Sequence, residues 1–279
     1  MTRSARYGGS CFEAASALPL GGGLGRPRRL VAFATALRRR PSNGAALLRL
    51  LAETRSERFQ LSNSPAGRAL ARYFDERFLG VFPKNRLCRG VLLLPHDHDH
   101  YLRGRSRQAL RTNLRRAALA GIRCGIAIDP VTAITAARDV LERRRAAITE
   151  EDRANLTSAW PALFARVETA LLVARNPSGQ PLAVIAALID DDICLIHVAV
   201  ASDHDARWAL HDHLVRILIG RGVRYLLAEG DGPFGALGFD AGMRHYQHLL
   251  GYELRHLAPS TRQSSPRMAR SQHLSPAHY

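Results

Sequence analysis

"ALLVARNPSGQPLAVIAALIDDDICLIHVAV", residues 170 to 200, is the stretch on which the fold turns. Two apolar runs, ALLVARN (170–176) and PLAVIAALI (181–189), flank Asn176, Pro177, Ser178 and Gly179, residue types that favour tight turns. Their strand length and spacing predict an antiparallel hairpin. Asp190, Asp191 and Asp192 then interrupt the apolar character before ICLIHVAV (193–200), which predicts a third antiparallel strand. The period changes next. In WALHDHLVRILIGRG (208–222), Leu210, Leu214, Ile217 and Leu218 share one helical face, and Gly222 ends the helix. VRYLLAE (223–229) predicts a buried strand, a shorter helix follows at about 241–250, and Gly251 opens a final strand, YELRHL (252–257).

Upstream, strands and helices alternate. LVAFAT (30–35) predicts a strand and NGAALLRLLAE (43–53) a helix. Ser64 followed by Pro65 is a cap and first-turn pair that opens a helix through Phe78. CRGVLLL (88–94) predicts a strand that Pro95 stops. An arginine-rich helix is expected from about Asp99 to Ala120, ended by Gly121, with IRCGIAI (122–128) as a strand after it. Helices at about 130–147 and 150–168 complete the series, the second capped by Thr149. Residues 1–27 and 259–279 show no apolar period and are expected to be disordered.

Lys84 is the only lysine among 40 basic residues, and the formal charge is +16. The charge is lopsided: residues 1–125 carry 24 basic and 7 acidic side chains, a net of +17, whereas the remainder is close to neutral. That asymmetry predicts an electropositive amino-terminal half that attracts phosphates or other anions. Cys11, Cys88, Cys124 and Cys194 form no CxxC pair, so neither a zinc site nor a disulfide framework is expected. The longest apolar run, Leu182 to Ile189, is far short of a membrane span, and Glu13 spoils the amino-terminal segment as a signal peptide. A cytoplasmic protein with reduced thiols is the expectation.

The order β-hairpin, β, α, β, α, β resembles the GCN5-related N-acyltransferase fold over about residues 95–257. VARNPSGQPLAVIAALI is similar to that family's hairpin, WALHDHLVRILIGRGVRYLLAE to its long helix and following strand, and HYQHLLGYEL to its closing helix-Gly-aromatic-strand element. YLRGRSRQALRTNLRRAALAGI resembles a helix of the FemAB-like branch, some members of which take aminoacyl-tRNA. The implied fold is α/β: a mixed, mostly antiparallel sheet flanked by helices. An acyltransferase-like domain at 95–258 would carry an amino-terminal α/β extension at 28–94.

The resemblance also implies a site. Family members bind the donor pyrophosphate at an Arg/Gln-x-x-Gly-x-Gly/Ala turn, whose glycines expose backbone N–H groups at a helix start. Alignment on Leu210, Leu214 and Gly222 places Ser202 at the Arg/Gln, with Asp205 and Arg207 at the two glycines. Val200, Ser202 and Arg207 are thus the implied donor-binding residues of this turn, while Asp203 and Asp205 oppose a pyrophosphate. The family's acidic tyrosine falls on Gln247, with Tyr246 beside it.

Acyl transfer to an amine needs a proton acceptor and a group that stabilises the leaving atom. Glu229 and Asp231 at the end of a strand, His197 within the preceding one, and Tyr246 are the candidates; each also reads as a strand-end polar group or a satisfied core side chain. Arg103, Arg107, Arg111 and Arg115, spaced by four, form one stripe beside Leu102, Leu110 and Leu114. Three readings stay open for the stripe: a solvated basic face, a clamp on a phosphate-bearing donor, or a duplex DNA contact. The last lacks a helix-turn-helix partner. HDHDH (96–100) reads as a polar cap before a helix, and no metal ligation is expected from it or from His204, His211 and His213. AEGDGPFGALGF (228–239) is Gly-rich but lacks the Gly-Lys-Ser/Thr ending of a phosphate-binding loop.

The expectation is therefore an acyltransferase moving an acyl group from acetyl-CoA, another acyl-CoA or aminoacyl-tRNA to a small-molecule amine acceptor, without a metal. The alternative is a non-catalytic relative that binds nucleic acid or another polyanion through its basic half.

Overall fold

The computed structural model describes residues 52–78, 82–83, 85–87, 89–143, 156, 169–228 and 241–261. The hairpin forms as its turn residues dictate. Strands β6 (Thr169–Arg175) and β7 (Pro181–Asp190) pair antiparallel, and Gly179 at φ +84° takes the left-handed position of the turn. The Asn176 side-chain oxygen accepts from the Gln180 N–H at 2.9 Å and closes that turn. β7 continues into β8 (Ile193–Ala201) through two aspartates, Asp191 adopting φ +39°, a conformation aspartate tolerates better than most residues.

Three further strands complete the centre of the sheet: β9 (Tyr225–Leu227), β10 (Glu253–Thr261) and β4 (Arg89–Leu93). Its ends are β1 (Ser56–Leu61) and β5 (Arg123–Ile126). The order is β1-β10-β4-β9-β8-β7-β6-β5. The β1–β10 and β8–β9 pairs are parallel; the other five are antiparallel. Helices cover both faces, so the expected α/β architecture is present. On one face, α5 (His204–Gly220) and α3 (Gln108–Leu119) pack with Leu210, Leu214 and Leu218 fully buried. The other face carries α1 (Pro65–Asp75) and α4 (Pro130–Glu142). A small ribbon, β2 (Arg77–Phe78) with β3 (Phe82–Pro83), lies apart, and α6 (Ala241–Leu250) precedes β10.

Several expectations change. β4 sits between β10 and β9, so the amino-terminal part and the acyltransferase-like segment share one sheet across the expected boundary at residue 94. β10 runs to Thr261, four residues past the expected end of the last strand, because β1 pairs along its whole length. The helix opened by Ser64 stops at Asp75, and Arg77 and Phe78 turn into β2 instead. The single arginine-rich helix is three pieces: α2 (His98–Leu102), a 3-10 turn at Arg105–Arg107, and α3. Arg103 is extended and Gly104 adopts φ +91°, so Arg103 lies outside the helix that carries Arg111 and Arg115. The strand at 30–35, all of the helix at 150–168 but Leu156, and most of the helix at 43–53 lie outside the described residues, as do Cys11 and Cys88. Cys194 is buried and Cys124 half-buried, both as free thiols whose pKa burial raises, that of Cys124 to about 11.

One buried carboxylate ties the two halves together. Asp190, 4% exposed, accepts from the Ser62 N–H at 2.8 Å and the Ser64 hydroxyl at 2.8 Å, and also pairs with the Ser62 hydroxyl. Ser64 in turn caps α1 by accepting from the Gly67 N–H at 2.9 Å. A Cβ on Gly67 would lie 2.2 Å from the Ser62 carbonyl oxygen, so the loop closes only on glycine. Replacing Asp190 with Ala leaves these half-buried donors without the acceptor they share. The expected result is a destabilisation of about 3 kcal/mol, read as a lower urea midpoint with an unchanged slope.

Candidate active site

β8 pairs with β9 only from Ile193 to Leu195. Among the described residues, its remaining length is paired only with β7, and the gap beside it opens into a cavity of about 230 Å³. One wall is β7 and β8, the second is the first turns of α5, and the third is Ala228, α6 and Tyr252.

A register shift shapes the strand wall. Ala186 pairs with Val198 and Ala187 with Ile196, so His197 is the extra residue of a β-bulge. Before the bulge, Cys194 and Ile196 face the α5 core; after it, Val198 and Val200 face the α4 core, and Ala199 and Ala201 turn toward α5. Ala183 lies opposite Ala201 and joins the same face. The alanines leave the space that valines fill on the other side of the sheet. His197 itself is exposed in the bulge and is not a core histidine.

Ser202, Asp203, His204 and Arg207 form the mouth at the start of α5. Asp203 is the N-cap, its side chain accepting from the Ala206 N–H at 2.7 Å. The end of the helix that other anions could approach is thereby filled by the chain's own carboxylate. Asp205 pairs with Arg116 of α3 at 3.3 Å. The Arg207 guanidinium lies 4.1 Å from the centre of the Tyr246 ring, and Trp208 meets the same ring edge-on at 4.8 Å. Tyr246 also donates to the Arg207 carbonyl at 3.4 Å.

Deeper in the cavity, the side chain of His211, 3% exposed, is paired through Nε2 with the Tyr252 hydroxyl at 2.9 Å. Burial, reinforced by Arg207 and Arg107, lowers the His211 pKa to about 3, so the imidazole is neutral at ordinary pH. Its Nδ1 is buried without a hydrogen-bond partner among the described residues. Gln247 is buried, and Gly90 leaves room for its side-chain oxygen, 3.3 Å from where a Cβ would stand.

Val200, Ser202, Arg207 and Tyr246 all line this one cavity. The four arginines of the stripe do not join them. Arg107 donates to the Leu249 carbonyl at 3.4 Å and lies over Tyr101, pinning the end of α6. Arg111 donates to the Leu102 carbonyl and, at 2.9 Å, to that of Gly104. Arg103 and Arg115 are exposed. Glu229 and Asp231 lie outside the described residues. His211 and Tyr252 are the pair that sequence reasoning missed; the position of Tyr252 directly after the helix-ending Gly251 was the available signal.

The histidine run that opens α2 is a cap and a clamp. Asp97 accepts from the His100 N–H at 2.6 Å, and His98 Nε2 meets Asp212 of α5 at 2.8 Å. Among the described residues, no group of histidines, cysteines and carboxylates could hold a metal ion, and no helix is long and apolar enough to cross a membrane.

No protein-family model matches the sequence, and no curated protein does. Among solved structures, the chain is similar to a conserved protein of unknown function from Bacteroides thetaiotaomicron, at 18% identity over 66% of this chain and 62% of that one, with a TM-score of 0.46. It is similar to L-PGS from Bacillus licheniformis at 14% identity over 62% and 58%, TM-score 0.42. A GCN5-related N-acetyltransferase from Kribbella flavida gives 14% identity over 62% and 55%, TM-score 0.34. The chain spans about six-tenths of the length of these structures.

Proposed function

We propose that this chain is an acyltransferase of the FemAB-like kind, moving an acyl or aminoacyl group from an activated donor to an amine in the cytoplasm. The observation that carries the reading is the cavity where β8 parts from β9, with an apolar alanine slot below and a helix start with a cation at its mouth. The slot suits the acyl part of a donor. Arg207, over the Tyr246 ring, is the group for a phosphate or other anionic part of the donor. The Asp203 cap argues against a pyrophosphate seated on the α5 start, which an aminoacyl ester of tRNA does not need and acetyl-CoA does. His197, Glu229 and Asp231 are the groups proposed to receive the proton of the amine.

A second reading rests on the exposed Arg103, Arg105, Arg115 and Arg116 around α3: binding of a polyanion without chemistry. A thermal-shift panel of acetyl-CoA, a longer acyl-CoA, charged tRNA and duplex DNA separates the two. A true donor at a hundredfold excess over its Kd raises the stability by about 2.7 kcal/mol. The expected result is a shift with an acyl donor and none with duplex DNA. No shift with any donor, together with DNA binding that weakens steeply with salt, would sink the acyltransferase reading.

A further inference from the structure

We propose that Gln247 selects the acyl group: its side-chain amide pairs with a hydroxyl or amino substituent on the transferred chain, so that the cavity takes a polar-substituted acyl group over a bare alkyl one. The inference rests on the acyltransferase reading above and names the class of acyl group for that site.

Positions i, i+3, i+4 and i+7 of one stripe of α6 are Met243, Tyr246, Gln247 and Leu250. Gln247 is the carboxamide in a stripe otherwise apolar or aromatic, and it is 8% exposed and lines the cavity. A carboxamide carries two N–H donors and a carbonyl acceptor, and buried groups of that kind are as a rule paired. Among the described residues, neither amide atom of Gln247 has a hydrogen-bond partner. Neither is closed off, as Nδ1 of His211 is. The point above Gly90 that the Gln247 oxygen approaches to 3.3 Å is also approached by the Ala228 methyl at 3.4 Å and by a Tyr252 ring carbon at 3.7 Å. Across the cavity stand the alanines of β7 and β8. The amide is therefore a polar group set among carbon. The tyrosine hydroxyls on the same walls are already engaged, that of Tyr246 with the Arg207 carbonyl at 3.4 Å and that of Tyr252 with His211 at 2.9 Å.

An acyl group entering this slot strips the amide of water. A bare alkyl chain supplies nothing in its place and leaves donor and acceptor unsatisfied, which works against the gain from burying its carbon. A hydroxyl or amine on the chain restores a hydrogen bond. Discrimination of this kind is strong, because the unpaired group of the site penalises the analogue that lacks the substituent. A carboxamide neither gains nor loses a proton at ordinary pH, so Gln247 selects the acyl group and takes no part in proton transfer.

Thioesters of N-acetylcysteamine present the acyl group without a pyrophosphate, so the Asp203 cap has no bearing on their binding. The butyryl, 3-hydroxybutyryl and 3-aminobutyryl thioesters are titrated into the full chain labelled with 15N-glutamine, the Gln247 side-chain signal being identified by its loss in Q247L. The parent is expected to bind the hydroxy or the amino thioester about 10- to 100-fold more tightly than the butyryl one, with the Gln247 signal shifting, and the two arms tell which substituent the site takes. In Q247L, whose leucine is of similar size, that ratio is expected to fall to about one while butyryl binding holds or tightens. Q247L should also have a urea midpoint no lower than the parent's, since it removes an amide that folding leaves unpaired. A lower midpoint means that the amide is paired within the fold and overturns the proposal. Equal affinity of the parent for the three thioesters overturns the selection and leaves the acyltransferase reading standing. Binding of none of them removes that reading and the selection with it.

Discussion

Acidification is expected to unfold this protein through one buried imidazole, and the H211Q variant is expected to lose most of that sensitivity. Burial, with Arg207 and Arg107 nearby, pushes the His211 pKa down to about 3 from the ordinary 6.5 of a free imidazole. Above pH 6.5 both folded and unfolded forms are neutral and the group contributes no pH dependence. As pH falls below 6.5 the unfolded chain binds a proton that the folded chain refuses, so stability drops by about 1.4 kcal/mol per pH unit until the folded ring also titrates near pH 3. The full loss is on the order of 5 kcal/mol, a large part of the roughly 5–15 kcal/mol that holds a domain together. The groups facing the ring explain the direction: Arg207 on its own helix, Arg107 from the 3-10 turn, Tyr246 from α6 and Tyr252 from β10. None is an anion that would welcome an imidazolium.

Other groups titrate in the same range. Asp129, its carboxyl lowered by hydrogen bonds from Thr132, and His213, lowered by partial burial, give the same sign. Both are retained in H211Q, so the difference between the two urea-derived stability curves isolates His211. Curves that stay parallel from pH 7 to pH 4 would mean the ring is solvated or paired with an anion, against the arrangement described.

The parts of the molecule that were legible in its sequence are those whose causes are local. Asn176 to Gly179 announce a turn because their own side chains and φ angles make it, and the leucines of α5 repeat with the helix because they share one wall. β1 escaped because its reason lies far away: Phe59 and Leu61 are buried only once Ser56–Leu61 pairs with His256–Thr261. The arginine stripe misled because a spacing of four aligns side chains only while the helix lasts. Gly104 ends it, and Arg111 then turns back to satisfy the carbonyls that the break exposes. In the site, Val200, Ser202 and Arg207 could be placed because they join a strand to a helix. The bulge at His197 could not, since a register shift between two strands has no signature in either alone. The same holds for His211, whose partner Tyr252 is 41 residues away across the cavity.

That bulge leads to the second large effect, in which stability and binding are expected to separate. Beyond His197 the alanines of β8 face α5, and the cavity is the volume they leave unfilled. Ala199 is half-buried and lies opposite Ile185 in the ladder. Ala199→Ile adds apolar volume where there is space for it, in a strand, where β-branched residues fit well. The variant is expected to be as stable as the parent or more stable by about 0.5–2 kcal/mol, as cavity-filling substitutions commonly are. It should also lose donor-dependent thermal stabilisation, with kcat/KM for any acyl donor down at least about 100-fold, because an acyl group can no longer lie in the slot. A purely structural void gives the first result without the second. A destabilised variant that still binds acyl donors would place the acyl group elsewhere. Only a binding cavity maintained at a cost in packing gives a more stable protein that does less, and that pairing is what the alanines of β8 predict.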